Sequence, residues 1–101
     1  MSAAMLQLDA DGRFQVIGPV VFATASELLT ASHDLFRGAR SLRIDLKDVT
    51  RVDSAALALL IEWQRLAGLG NQQIRFEHIP DDLQAIARLT GTDSILVIPA
   101  E

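Results

Sequence analysis

The chain has no cysteine, so disulfides are excluded as a source of stability and a reducing compartment suits it. It also lacks any run near the roughly 20 apolar residues needed to cross a bilayer. Its first residues, Met1 to Asp11, have neither the basic start nor the apolar core of a signal peptide. A soluble, cytoplasmic protein is expected, with no direct membrane insertion. Basic residues are few: 9 Lys and Arg stand against 13 Asp and Glu, for a formal net charge of -4. Nucleic-acid binding rests on neutralising phosphates, and without a basic block the chain is poorly equipped for it. The two histidines, His33 and His78, lie far apart and outside any ligand-spaced motif, so no metal site is expected. No Gly-rich phosphate loop occurs, and no nucleophile-elbow glycines flank Ser54. No cofactor and no enzymatic activity are expected.

What is present suits a single domain, residues 1–101, half of it hydrophobic and large enough to bury a core without metal or cross-links. Met5 to Leu8 alternates weakly, Ala10-Asp11-Gly12 suits a tight turn, and Phe14 and Val16 mark a return strand that Gly18-Pro19 ends. Thr24-Ala25-Ser26-Glu27 has the spacing of a capping box, with Thr24 as the cap of a first helix that runs to about Gly38. Leu42, Ile44 and Leu46 alternate as a strand. Asp53 or Ser54 then stands as the cap before a long helix closed by Gly70-Asn71. Ile74, Phe76 and His78 share one face of a further strand, Pro80-Asp81-Asp82 opens a third helix ending at Gly91, and Ile95 to Ile98 reads as a buried last strand. The fold class is mixed α/β, in the order β-β-α-β-α-β-α-β, with a mostly parallel sheet and an N-terminal hairpin.

Two constellations invite a functional reading. Asp45, Asp48 and Asp53 put three carboxylates within nine positions. A magnesium or acid–base cluster is one reading. The other is simpler: Asp45 on the polar face of a strand, Asp48 in a loop, Asp53 at a helix cap. Trp63 falls in step with Ala56, Leu59 and Leu60 and reads as a core or edge anchor rather than a ligand platform. The second helix carries an anomaly. The stripe of Glu62 and Arg65, run back by threes and fours, passes through Ala58, Ala55 and Ser54, with Leu59 beside it. These positions are small or apolar where a solvent-facing stripe is polar. Either the first turns are buried, or they form a surface on which a partner packs closely.

Asp45-Leu46, Val49 and Val52-Asp53-Ser54, followed by small residues and Leu57, resemble the signature of STAS domains, the anti-sigma-factor-antagonist-like fold. Thr24-Ala25-Ser26-Glu27-Leu28 resembles the family's first-helix start, and Ala87 to Asp93 the segment before its last strand. Within the family, Arg51 to Leu60 is most similar to the MlaB type. The resemblance implies a non-enzymatic cytoplasmic subunit that binds and supports the ATPase subunit of a phospholipid-transporting ABC complex, sits at the inner membrane through that partner, and maintains outer-membrane lipid asymmetry. The alternative it implies is an anti-sigma-factor antagonist that binds an anti-sigma kinase. Signalling members carry Asp-Ser-Ser-Gly and are phosphorylated on the second serine. Here the match is Asp53-Ser54-Ala55-Ala56, and Ala55 has no hydroxyl. The expected partner surface comprises Asp48, Arg51, Asp53, Ser54, Ala55, Ala58, Leu59 and Glu62.

Overall fold

The computed structural model describes residues 3–93, so the expected strand Ile95 to Ile98 lies outside the described residues. The order of elements is β1 (Met5–Leu8), β2 (Arg13–Val20), α1 (Phe22–Leu35), β3 (Ser41–Val52), α2 (Ser54–Leu69), β4 (Gln73–Glu77) and α3 (Asp81–Thr90). The strands form one sheet in the order β1-β2-β3-β4. β1 and β2 are an antiparallel hairpin, while β2–β3 and β3–β4 are parallel. This matches the expected mixed α/β class. The hairpin turn is closed by Asp9, whose Oδ1 accepts the backbone N–H groups of Asp11 and Arg13 at 2.8 and 3.0 Å.

Alternation sends Phe14, Val16, Leu42, Ile44 and Phe76 to one side of the sheet, where they join Leu28, Leu57, Leu60 and Leu83 in a single buried cluster. The helices therefore cover one face of the sheet. Of the two anchor positions expected for Trp63, core or edge, the structure shows the core. Its indole N–H donates to Ser32 Oγ at 2.8 Å, and Ser32 in turn donates to the Leu29 carbonyl at 2.6 Å. The ring meets Phe36 edge-on, and Phe36 meets Phe14 likewise.

Four expectations change. β2 does not end at Gly18-Pro19 but runs on to Val20. β1 stops pairing at Ile17, so among the described residues no ladder on that side requires the N–H that Pro19 lacks. Gly18 has φ 95, and a Cβ there would lie 2.9 Å from the Ala3 carbonyl oxygen, so only glycine suits the position.

β3 likewise continues past Leu46 to Val52, so Asp48 lies in a strand and not in a loop. Between the pairs Gln15↔Asp45 and Ile17↔Asp48, β3 advances three residues while β2 advances two; the register shifts again between Gly18↔Val49 and Pro19↔Arg51. Each shift places an extra residue in β3. The alternation is broken there, which is why Lys47 and Asp48 both look out and the strand reads as finished.

Thr24 is not the cap of α1. The helix begins two residues earlier, at Phe22. Thr24 is buried, its hydroxyl accepting from Val21 N–H at 3.0 Å and donating to the Pro19 carbonyl at 2.8 Å.

Asp45 points away from the helices, yet it is only 3% exposed. Its Oδ1 takes the Lys47 N–H at 3.0 Å and lies 2.9 Å from His78 Nδ1. His78 lies beyond β4, not in it, with φ 56 in the left-handed region. Among the described residues no helix is long and apolar enough to cross a membrane.

Candidate functional site

The parallel β2-α1-β3-α2 arrangement brings the starts of α1 and α2 to the same end of the sheet, because both helices follow strands that run the same way. Asp53 joins them. It is the N-cap of α2, with extended backbone, and its Oδ1 accepts the Ala55 N–H at 2.8 Å. Its Oδ2 accepts the Phe22 N–H, the first of α1, at 3.1 Å. One carboxylate thus meets the positive ends of two helices. The cap expected at Asp53 or Ser54 is Asp53. The Ser54 hydroxyl is exposed and has no hydrogen bond among the described residues.

Beside this junction a groove of about 720 Å³ runs between the first halves of α1 and α2. From α2 and its cap come Asp53, Ser54, Ala55, Ala58, Leu59 and Glu62. From α1 come Phe22, Ala25, Ser26 and Leu29. Ala58 is exposed and Ala55 half-buried. The stripe that runs from Ser54 through Ala58 to Arg65 therefore lies at the surface, but Leu59 beside it does not: it is only 4% exposed and belongs to the core, as do Ala56 and Leu57. The far end is closed by a bidentate pair, Arg65 Nε and Nη2 to the two Glu62 oxygens at 2.8 and 2.7 Å. The Arg65 guanidinium holds the Glu62 carboxyl below the usual range.

Asp48 and Arg51 do not line the groove. Both are exposed on the end of β3, paired with Ile17 and Pro19. The three aspartates do not gather either. Asp45 is buried against His78, Asp48 faces outward, and Asp53 is taken up by two helix ends. Among the described residues no three His, Cys, Asp or Glu side chains stand together to hold a metal.

Sequence reasoning missed the α1 wall. Phe22 is 87% exposed, and the capping-box pattern at Thr24 hides it, because that pattern places the helix start after it. The signal was the i, i+3, i+7 spacing of Phe22, Ala25 and Leu29, a second apolar stripe beside the core stripe of Leu28 and Ser32. Among the described residues the centre of the groove carries alanine, leucine and phenylalanine, with no unpaired charge and a flat, backbone-close wall on α2. Small, apolar side chains on such a wall let another backbone approach closely.

The family model described as "Mlab, STAS domain" matches residues 4–98. Among solved structures, the chain resembles the anti-sigma factor antagonist SpoIIAA in its unphosphorylated form. The TM-score is 0.65 at 10% identity, over 98% of this chain and 89% of that one. It also resembles a structure described as Mglu, with TM-score 0.60 and 23% identity over 76% of this chain and 19% of that one. At these identities the likeness is one of fold. A comparison with curated protein sequences returns no match.

Proposed function

The chain belongs to the MlaB-type STAS domain family, and from that premise we propose that it is a non-enzymatic subunit that docks on the ATPase of a phospholipid-transporting ABC complex. In this reading it sits in the cytoplasm at the inner membrane through its partner and serves outer-membrane lipid asymmetry. STAS domains are protein-interaction modules, and the observation that carries the reading is the uncharged centre of the groove. Ala55 and Ala58 let a partner backbone come close to α2, and Phe22 offers an exposed ring of the kind that anchors interfaces. A stable interface covers about 800 Å² per partner, so the contact extends from the groove onto Asp48 and Arg51 at the end of β3. Docking acts by binding one conformation of the ATPase better than another, or by holding its assembly together.

Ala55 argues against a phosphorylation switch, since the position where signalling members carry the acceptor serine has no hydroxyl here. The test is co-purification of the intact chain from its host, with ATP hydrolysis by the captured subunit measured with and without the chain. A complex with a nucleotide-binding ABC subunit, and a changed hydrolysis rate, is expected. Recovery of a serine kinase instead, together with phosphate on Ser54, would replace this reading by the anti-sigma-factor antagonist.

A further inference from the structure

The face of the sheet turned away from the helices carries a row of three arginines. Arg13 on β2 pairs in register with Arg43 on β3, and Arg43 with Arg75 on β4. Neighbouring strands lie about 4.8 Å apart, so the row is about 10 Å long. Like charges directly opposite one another in a sheet destabilise it. One carboxylate offsets the first pair: Glu77 Oε1 takes Arg13 Nε at 2.9 Å, and Oε2 takes Arg43 Nε and Nη2 at 3.2 and 3.1 Å. Among the described residues the second pair has no such bridge. Arg75 is exposed and has no hydrogen bond or ion pair among the described residues. The acids at the hairpin, Asp9 and Asp11, stand at the Arg13 end. Asp45 is engaged by Lys47 N–H and His78. The unmatched positive charge is thus at the β4 end.

We propose that this open face is a second docking surface and that its occupant is an acidic segment of a partner protein. A carboxylate of that segment sits between Arg43 and Arg75 as Glu77 sits between Arg13 and Arg43. A guanidinium binds a carboxylate through charge-assisted hydrogen bonds, and on the same row Arg43 already gives Nε and Nη2 to one Glu77 oxygen while Arg13 Nε donates to the other. A short segment suits the patch better than an anionic bilayer does. The domain is 34 Å across and has net charge -4, whereas the positive row spans only about one Debye length, roughly 8 Å at physiological salt. An extended anionic plane meets the acidic flanks as well as the row; a narrow segment does not.

The experiment uses the full chain and a fluorescently labelled hexaglutamate peptide, followed by anisotropy at low and high salt. Binding at low salt that fades at high salt is expected. Arg75→Glu is expected to weaken it by about tenfold or more, the loss that removing one charge-assisted contact brings. The charge-matched control Arg88→Glu, on the opposite side in α3, is expected to leave it within about twofold. If Arg75→Glu fails to fold, Arg75→Gln takes its place; it relieves the Arg43–Arg75 repulsion and is expected to melt no lower than the parent while still binding less peptide. Equal losses in the Arg75 and Arg88 variants, no peptide binding at all, or stronger binding to phosphatidylglycerol vesicles than to peptide would each overturn the proposal.

Discussion

The Asp53 carboxylate accepts the backbone N–H of Phe22 at 3.1 Å, tying the first residue of α1 to the cap of α2 across 31 positions of sequence. The same carboxylate caps α2 through Ala55 N–H. This link sets the spacing of the two helix starts and so the width of the groove between them. It also leaves Phe22 projecting outward, its backbone held and its ring 87% exposed.

Asp53→Ala is expected to cost about 1 to 4 kcal/mol, because a lost cap costs roughly 0.5–2 kcal/mol and two helix ends lose theirs. Asp53→Asn should cost less. Its amide oxygen can still accept from Ala55, while its NH2 would face the Phe22 N–H, donor against donor. Denaturant unfolding of the three proteins decides, and an alanine variant within about 0.5 kcal/mol of the parent would mean that the link adds nothing.

Ala58→Arg and Phe22→Ser test the groove. Both side chains are exposed in the free chain, so stability should change by no more than about 0.5 kcal/mol. Partner binding should weaken by more than about 2 kcal/mol if these positions lie at the centre of the interface. Melting temperature and capture of the proposed ATPase partner are measured on the same preparations. Variants that fold and still bind at parental affinity remove the groove from the interface.

Thr24→Val keeps the shape and removes the hydroxyl. Thr24 is 8% exposed, and its loss leaves Val21 N–H and the Pro19 carbonyl without that partner. The expected cost is about 1–3 kcal/mol, that of stranding buried polar groups, and Thr24→Ser should recover part of it. A valine variant that melts with the parent would show that these groups find other partners.

Glu77 makes part of the stability depend on pH. Burial pushes its carboxyl up, but the hydrogen bonds and charges of Arg13 and Arg43 outweigh this and hold it below the ordinary value. A carboxyl lowered in the folded state contributes stability that is fully present above the unfolded value of about 4.3 and is lost as pH falls through the folded value. Glu77→Gln should therefore flatten the fall in stability from about pH 4.3 downward, without removing it, because Asp9 and Glu62 are also held low. A pH series of unfolding curves reads this directly, and parallel profiles for the two proteins would exclude the effect.

Sequence alone determined the features that depend on neighbours along the chain. The order of strands and helices follows from periods of two and of three to four. The Asp9–Arg13 turn and the left-handed Gly91 that ends α3 follow from local backbone chemistry, and the small-residue stripe of α2 is visible as a missing polarity. Tertiary structure decided what depends on register. β2, lying alongside, carries β3 through two bulges to Val52 and so moves Asp48 and Arg51 onto a strand. Asp45 is buried because His78 turns back over it, and Thr24 because Pro19 and Val21 fold around its hydroxyl. Phe22 became a wall of the groove through an aspartate far along the chain. The arginine row exists only because parallel pairing sets Arg13, Arg43 and Arg75 side by side. Periodicity encodes which face a side chain takes; only strand register and helix packing decide which distant side chain it meets there.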